Sequence, residues 1–592
     1  MARILGVSCY FHDAAAALAE DGVPVAAAEE ERFSRVKHDS SFPHRAIAFC
    51  LEQAGLAGSD LDYVAFYERP RAKLRRVLAT AATMGPAARD AFAYSMREWL
   101  TERRGLKRRL GRLLGIPADR VRFVDHHLSH AASAFLPSAF EEAAVLTVDG
   151  VGEWATATIG RAATAGGRHS IEILDRIDFP HSLGLFYSAF TDFLGFEVNE
   201  GEYKVMGMAP YGEPRFVDEL SRVLHRYDDG SFWLDLSYFS FHYSARKAYS
   251  EKLSELLGIE PRPRNERFWT QGDGDAPPGA VERSRRYADI AASVQEVTEL
   301  AIVGLARAAH RRAPSANLCF AGGVALNALA NTRILEETEF ERLFVPPAPG
   351  DSGGALGAAL WLEHVVLGTP QRSILRHAYW GAAYGDAEIE AALRDTDGIR
   401  YERLASEDEV RDATVEALAA GDVVGWFQGR FEFGPRALGN RSILADPRQP
   451  DMKERINEKI KFREPFRPFA PVVTDAAAGS LVRRELADQH PARFMLLIFE
   501  LDPELAGRLP AVDHFGTARL QTVREEWNPR FFRLLERWGT ESGLPVLLNT
   551  SFNLRGEPIV NNPTDALATF CRSGLDLLVL GDYVVRKTDG AG

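Results

Sequence analysis

Residues 121–160, VRFVDHHLSHAASAFLPSAFEEAAVLTVDGVGEWATATIG, decide the fold. VRFV reads as a short strand, and the small-residue run DHHLSHAASAF as a helix. AVLTV, the turn DGVGE and WATATIG then read as strand, turn and strand. A strand, a helix and a hairpin within forty residues predict an α/β protein.

The pattern extends in both directions. Upstream, ARILGVSCY (2–10), the turn AEDG and VPVAAAEEE (23–31) predict an opening hairpin, followed by a helix in FPHRAIAFCLEQAGL (42–56) and a strand in LDYVAFY (61–67). Downstream come a long helix in 286–312, the strand NLCFAGG (317–323), the helix VALNALANTRIL (324–335) and the strand RLFVPP (342–347). Two halves that each open on a hairpin fit an old duplication of one α/β unit. The Pro- and Gly-rich stretch 261–280 reads as a long surface loop. A boundary near EHVVLGTPQRSIL (363–375) gives an expected division into domains 1–370 and 371–592. In the second, DVVGWFQ (422–428), FMLLIF (494–499) and LPVLLN (544–549) are expected strands.

Composition bounds the function. A chain of 592 residues exceeds one ordinary core, and 26% charged with 46% apolar residues is typical of a folded globular protein. The formal charge of -13 argues against a protein whose main partner is nucleic acid, so any anion site must be local. Four scattered cysteines, without CxxC spacing, suggest neither a disulfide framework nor a thiolate zinc site. With no secretion signal and no long apolar run, a cytoplasmic protein without membrane partners is expected. Residues 69–112 carry thirteen Lys or Arg, expected to form the solvated face of a helical excursion, with no ligand assigned.

Three groups of residues bear chemistry. His126 and His130 stand four apart on the expected helix, so both rings share one face and can share a metal. Asp149 ends the strand AVLTV, and Asp351 follows another strand in PGDSGG, both suited to the mouth of an α/β sheet. Two His and two Asp suit Fe(II), Mn(II) or Zn(II). The competing readings are a surface His pair, a turn for Asp149 and a helix cap for Asp351. Second, VDGVGE, AGGVALN and GDSGGALGAAL put glycines after strands, where backbone N–H groups approach phosphates closely; there is no GxxxxGK[ST], and GxGxxG is missing from the first βα turn. Third, GRFEFGPRALGNRSILADPR (429–448) and NEKIKFREPFRPFAP (457–471) gather Arg436, Arg441, Lys461, Arg463 and Arg467 among glycines and prolines, a pattern for a small multiply charged anion.

GVSCYFHDAAAAL (6–18), EERFSRVKHDSSFP (30–43), DHHLSHAASAF (125–135), VDGVGEW (148–154), NEGEYKVMGMAPYG (199–212), AGGVALN (321–327) and PGDSGGALGAAL (349–360) together resemble the O-carbamoyltransferase family of nodulation and antibiotic enzymes. The resemblance implies an N-terminal actin-like or Hsp70-like ATPase-type (Kae1-like) domain and a C-terminal YrdC-like α/β domain. It implies iron at His126, His130, Asp149 and Asp351, and nucleotide loops at Gly152, Gly322, Gly323, Asn327 and Gly353. By the same resemblance carbamoyl phosphate is held by Arg436, Arg441, Lys461, Arg467, Arg519 and Ser551. His12 is then the expected base for the acceptor hydroxyl, as a neutral imidazole, and Lys204 a phosphate contact; a packed turn histidine and a buttressing salt bridge are their alternatives. The implied reaction cleaves carbamoyl phosphate, adenylates the carbamate with magnesium-assisted ATP, and transfers the carbamoyl group to a small hydroxylated acceptor. A homodimer is compatible with it. A kinase, a threonylcarbamoyl-transfer enzyme and a non-catalytic nucleotide-binding scaffold are the rival readings.

Overall fold

The computed structural model describes residues 2–244 and 246–588. Two compact units emerge. The first holds the chain up to Val25, Ser40–Pro43 and Cys50–Ile374; the second holds Ala26–Asp39, His44–Phe49 and the chain from Leu375 onward. The expected division was contiguous, 1–370 and 371–592, whereas two early segments here belong to the later unit.

The first unit is built on two five-stranded sheets. One contains β1 (Arg3–Ser8), β2 (Ala15–Glu20), β3 (Val23–Glu29), β4 (Tyr63–Phe66) and β5 (Val121–Phe123) in the order β3-β2-β1-β4-β5. The other contains β6 (Glu142–Val148), β7 (Ala155–Ala165) and β8 (Arg168–Asp178). A small ribbon of β9 (Leu224–Arg226) and β10 (Phe232–Leu234) intervenes before β11 (Asn317–Ala321) and β12 (Arg342–Phe344) complete the order β8-β7-β6-β11-β12. In both sheets the first strand pairs antiparallel with its hairpin partner and parallel with the strand that follows. This is the α/β architecture expected from sequence, and the repeated order is that of one unit used twice.

Helix His126–Phe135 follows β5, and helix Asp351–Leu360 follows β12. They pack backbone against backbone because Gly357 lacks a side chain: a Cβ there would lie 1.9 Å from the Ser129 carbonyl oxygen. That approach brings the N-terminal turns of the two helices together at the ends of the strands.

Residues 69–112 are helical, in Pro70–Met84, Arg89–Glu98 and Leu106–Leu114. Their cations are not all solvated as expected. Arg76 and Arg103 are buried, and Lys73 nearly so. Arg103 pairs with Glu68 and Glu98, Lys73 pairs with Glu68 at 3.1 Å, and Arg76 lies over the Phe179 ring. The 261–280 loop is likewise anchored inward by Arg262, which donates to the Leu194 carbonyl.

The second unit holds one eight-stranded mixed sheet. Its strands are β13 (Ile399–Arg403), β14 (Val424–Phe427), β15 (Arg441–Ala445), β16 (Ala470–Thr474), β19 (Gln521–Val523), β20 (Val546–Ser551), β21 (Leu577–Leu580) and β22 (Tyr583–Lys587); β17 (Phe499–Glu500) and β18 (Thr517–Ala518) form a separate ribbon. Trp426, Phe531, Trp538, Leu547 and Val579 make its apolar core. FMLLIF is not a full strand. A 3₁₀ turn ends at Phe494, Met495 takes φ 57°, and only Phe499 enters a strand, while Leu496 and Leu497 are buried from irregular backbone. An apolar run records burial without fixing the backbone that achieves it.

Candidate functional sites

In the first unit, helix His126–Phe135 starts at Asp125, whose carboxylate accepts the Leu128 N–H as a cap. The i, i+4 spacing brings the ring nitrogens Nε2 of His126 and His130 to 3.1 Å. Asp149, just beyond β6, presents Oδ2 at 2.9 Å from His126 Nε2 and 3.6 Å from His130 Nε2. Asp351, at the start of its helix, presents Oδ1 at 3.7 and 3.5 Å from the same nitrogens. All four side chains are buried. Neither carboxylate follows its competing reading: Asp149 Oδ1 accepts the Gly323 N–H at 2.9 Å, and Asp351 caps nothing while Tyr67 donates to its Oδ2.

Burial works against charge here, yet the groups overcome it together. Hydrogen bonds from both histidines hold the Asp149 carboxyl well below the usual carboxylate range, and Asp149 with Asp351 raises His130 to about 9 against its own burial. Two carboxylates facing two imidazole nitrogens across less than 4.8 Å fit a divalent cation in charge and donor type, and Asp351 Oδ1 has no hydrogen-bond partner. His127, the histidine between the pair, does something else: Nδ1 meets the Thr147 hydroxyl at 2.7 Å and Nε2 donates to the Ala155 carbonyl at 2.7 Å. Burial and the two neighbouring histidines push it down to about 3, so it is a neutral strut.

The glycines around this cluster are required by space. Gly322 takes φ 96° against the Val148 carbonyl, and a Cβ on Gly152 would lie 2.8 Å from the His126 ring. Gly323 supplies the N–H to Asp149, and Gly353 packs on the Ala348 carbonyl. Asn327 caps helix Ala328–Glu337 and exchanges amide hydrogen bonds with Gln295. Lys204 lies 5.6 Å over the Phe196 ring. His12 sits on a loop in which Tyr10 and Asp13 both take positive φ, with Nδ1 3.0 Å from Asp13 Oδ2 and 18% of the side chain exposed. Burial opposes charge on His12, but Asp351 and Asp13 outweigh it and raise it to about 10. The expected neutral base is therefore an imidazolium at pH 7 while those carboxylates face it uncompensated.

In the second unit, segment 26–39 holds the glycine-rich loop: Glu29 accepts the Gly434 N–H at 2.7 Å and Arg32 donates to the Gly434 carbonyl at 2.7 Å. Glu432 folds the loop on itself by accepting from Leu438 and Asn440. The expected cations then part company. Arg441 is buried and spends its guanidinium on the carbonyls of Gln428, Gly429, Asn440, Asn561 and Ala382, 3.6 Å over the Phe427 ring. These bonds brace the loop and leave one Nη2 N–H over, so the geometry favours a bracing role over the expected place as an oxyanion ligand.

Arg519 is the opposite case. Its Nε is buried without a hydrogen-bond partner, and burial followed by Arg436, Arg463 and Arg467 drives it well below the usual arginine range. Lys461 is lowered in the same way by burial, Arg463, Arg467 and Lys37, while its ammonium donates to Ser551 and to Asn553 Oδ1 at 2.8 Å. Ser551 in turn donates to Asn553. Arg463 is held by Asn457 at 2.7 Å, and Arg467 lies 3.6 Å from Glu464. A half-buried concentration of like charge around the buried Lys461, in which cations depress one another, is an arrangement that an anion would relieve.

Comparison with known proteins assigns the chain. The profile "Carbamoyltransferase N-terminus" matches residues 3–360 and "Carbamoyltransferase C-terminus" matches 415–587. The chain belongs to the carbamoyltransferase family. This carbamoyltransferase is 42% identical to the Synechocystis protein sll1178, across 99% of this chain and 97% of that one. It is 37% identical to nodulation protein NolNO of Sinorhizobium fredii, over 98% and 79%. To the 3'-hydroxymethylcephem-O-carbamoyltransferase of Amycolatopsis lactamdurans it is 36% identical over 50% and 54%.

Sequence reading of the carbamoyltransferase missed three contributors. Glu153, in VDGVGEW, accepts the His126 backbone N–H and the Arg69 N–H, tying helix to loop. Tyr67 fixes Asp351. Lys37 joins the cations around Lys461 from more than four hundred residues away. Glu153 and Lys37 lie inside the quoted motifs, which was the available signal; a lone Tyr at a strand end gave none.

Proposed function

We propose that this enzyme is an ATP-dependent O-carbamoyltransferase working in two stages, with residues 1–370 and 371–592 as its two functional domains, the second completed by segments 26–39 and 44–49. At the cradle of Arg436, Lys461, Arg467, Arg519 and Ser551, carbamoyl phosphate and water give carbamate and inorganic phosphate. In the N-terminal domain carbamate attacks the α-phosphorus of ATP, forming carbamoyl adenylate and releasing pyrophosphate. The hydroxyl oxygen of a small acceptor then attacks the carbamoyl carbon, AMP leaves, and the hydroxyl proton passes to His12. Adenylation is physically apt, because carbamate carries an oxyanion that is a poor leaving group and AMP is a good one.

His126, His130, Asp149 and Asp351 would hold the metal, Fe(II) or else Mn(II) or Zn(II), which when bound supplies positive charge for phosphate oxygens. Neutralising Asp351 also removes the main cause of the high His12 basicity, so a filled site is the state in which His12 is free to take a proton. Gly152, Gly322, Gly323 and Gly353 offer backbone N–H groups to the nucleotide. Lys204 is assigned a phosphate contact.

The observation that carries this reading is the pairing of a buried carboxylate–imidazole cluster with a half-buried guanidinium cluster in one chain of this family. The test incubates the enzyme with carbamoyl phosphate, ATP and a panel of hydroxylated natural products and saccharides. Mass spectrometry should find one added carbamoyl group, with pyrophosphate release that depends on carbamoyl phosphate. ATP turnover yielding ADP, with no such dependence, would sink the reading in favour of a kinase.

A further inference from the structure

The second unit contains a small open cleft that neither site above uses. Arg376, Arg493, Arg524 and His377 line it, and none of its lining residues is acidic. Arg493 stacks 4.1 Å over the Trp527 ring, and Arg524 lies 5.0 Å from the same ring. Arg524 has a carboxylate partner, Asp475 at 2.6 Å. Among the described residues, the Arg493 side chain has none, and Trp527 Nε1 is buried without an acceptor. Burial and the charges of Arg524 and Arg376 push Arg493 down to about 10, opposed by Glu526 and Asp475.

Guanidinium and indole N–H groups donate only, so they match a ligand made of acceptors. The neighbouring amides are already committed. Gln521 donates to the Leu438 carbonyl and accepts from Asn549, and Asn528 donates to Tyr379 and Asn440. They form a rigid wall. Asn549 also donates to the carbonyl of Ala437, next to Arg436, so the cleft and the Arg519 cradle share one layer of residues.

We propose that this cleft is a second oxyanion site, centred on Arg493 and Trp527, and that it takes inorganic phosphate. Its place as a station for the phosphate left by carbamoyl phosphate cleavage rests on the reading given under Proposed function; the site itself rests only on the cleft.

Calorimetric titration of the full chain with inorganic phosphate should give two bound phosphates per chain. Arg493→Met should delete one and Arg519→Met the other, and phosphate should shift tryptophan emission in the wild type but not in Trp527→Phe. Where Arg493→Met fails to fold, Arg493→Lys, which keeps the charge and loses the fork, should weaken the same site about tenfold. A folded Arg493→Met chain that still binds two phosphates overturns the cleft, as does a wild-type chain with one phosphate that only Arg519→Met removes. Two phosphates surviving Arg519→Met would instead strike the cradle and leave the cleft standing. Carbamoyl phosphate should fill the cradle alone; equally tight entry into the cleft overturns the assignment to product phosphate.

Discussion

The buried cluster of the first unit and the half-buried cation cluster of the second are electrostatic opposites. Asp149 and Asp351 face two imidazoles that can answer them by taking protons, and His12 does the same from its loop. The cradle has no such internal remedy. Arg519 is faced by the cations Arg436, Arg463 and Arg467, so burial and its neighbours both lower it, and on the proposed reading an anion would offset them. On that reading, the first site would exchange protons for a cation, whereas the second would gain from its anion the compensation it lacks.

The strongest test of that contrast removes a donor from the first cluster. His130→Ala takes one nitrogen out of a four-donor set and leaves two carboxylates facing a single imidazole. Bound metal, read by plasma mass spectrometry, and carbamoyl transfer should fall together by about 100-fold or more, the upper end of losses seen when the surroundings of ligands are altered. Unchanged metal content with unchanged rate would remove His130 from the site.

Arg519→Met should cost about 10- to 100-fold in carbamoyl phosphate cleavage, the value of one charge-assisted hydrogen bond of about 1.5–3 kcal/mol. Transfer from supplied carbamoyl adenylate should survive, and the ligand-free chain should melt no lower than wild type, because a half-buried cation whose Nε has no partner has been removed. Equal loss of both activities would break the division between the sites. Arg441→Met sharpens the same point from the other side. Five carbonyls lose their donor, so this variant should lose about 3–5 kcal/mol of stability in urea, and activity should decline only as folded protein does. A stable Arg441→Met chain that binds carbamoyl phosphate poorly would return Arg441 to the ligand shell.

The difference between Arg441 and Arg519 also marks where sequence stops being legible. The α/β alternation, the i, i+4 histidines and the strand-end aspartates are local patterns, and the structure brings all four of those side chains together. Whether an arginine in a glycine-rich loop points at a ligand or at its own backbone depends on the closure of that loop, here fixed by Glu432, Glu29 and Arg32, the last two from segment 26–39. No local pattern encodes that. The basic run 69–112 teaches the same lesson: composition suggested a solvated face, but Glu68 and Glu98 draw Arg103 inward.

The smallest expected effect concerns protons in the first cluster. His12 is raised to about 10 and His130 to about 9 in the metal-free chain, both above the ordinary value of 6.5. A folded-state value above the unfolded one stabilises fully below pH 6.5, and that contribution is lost as pH rises toward 10. The urea midpoint of chelator-treated enzyme should therefore fall between pH 7 and 10. His12→Gln should shallow the fall without abolishing it, since His130 remains, and metal should flatten it by occupying the carboxylates that hold both protons. A midpoint flat with pH in metal-free wild type would mean that the cluster keeps its carboxylates apart from the imidazoles in solution, and the contrast with the guanidinium cradle would lose its basis.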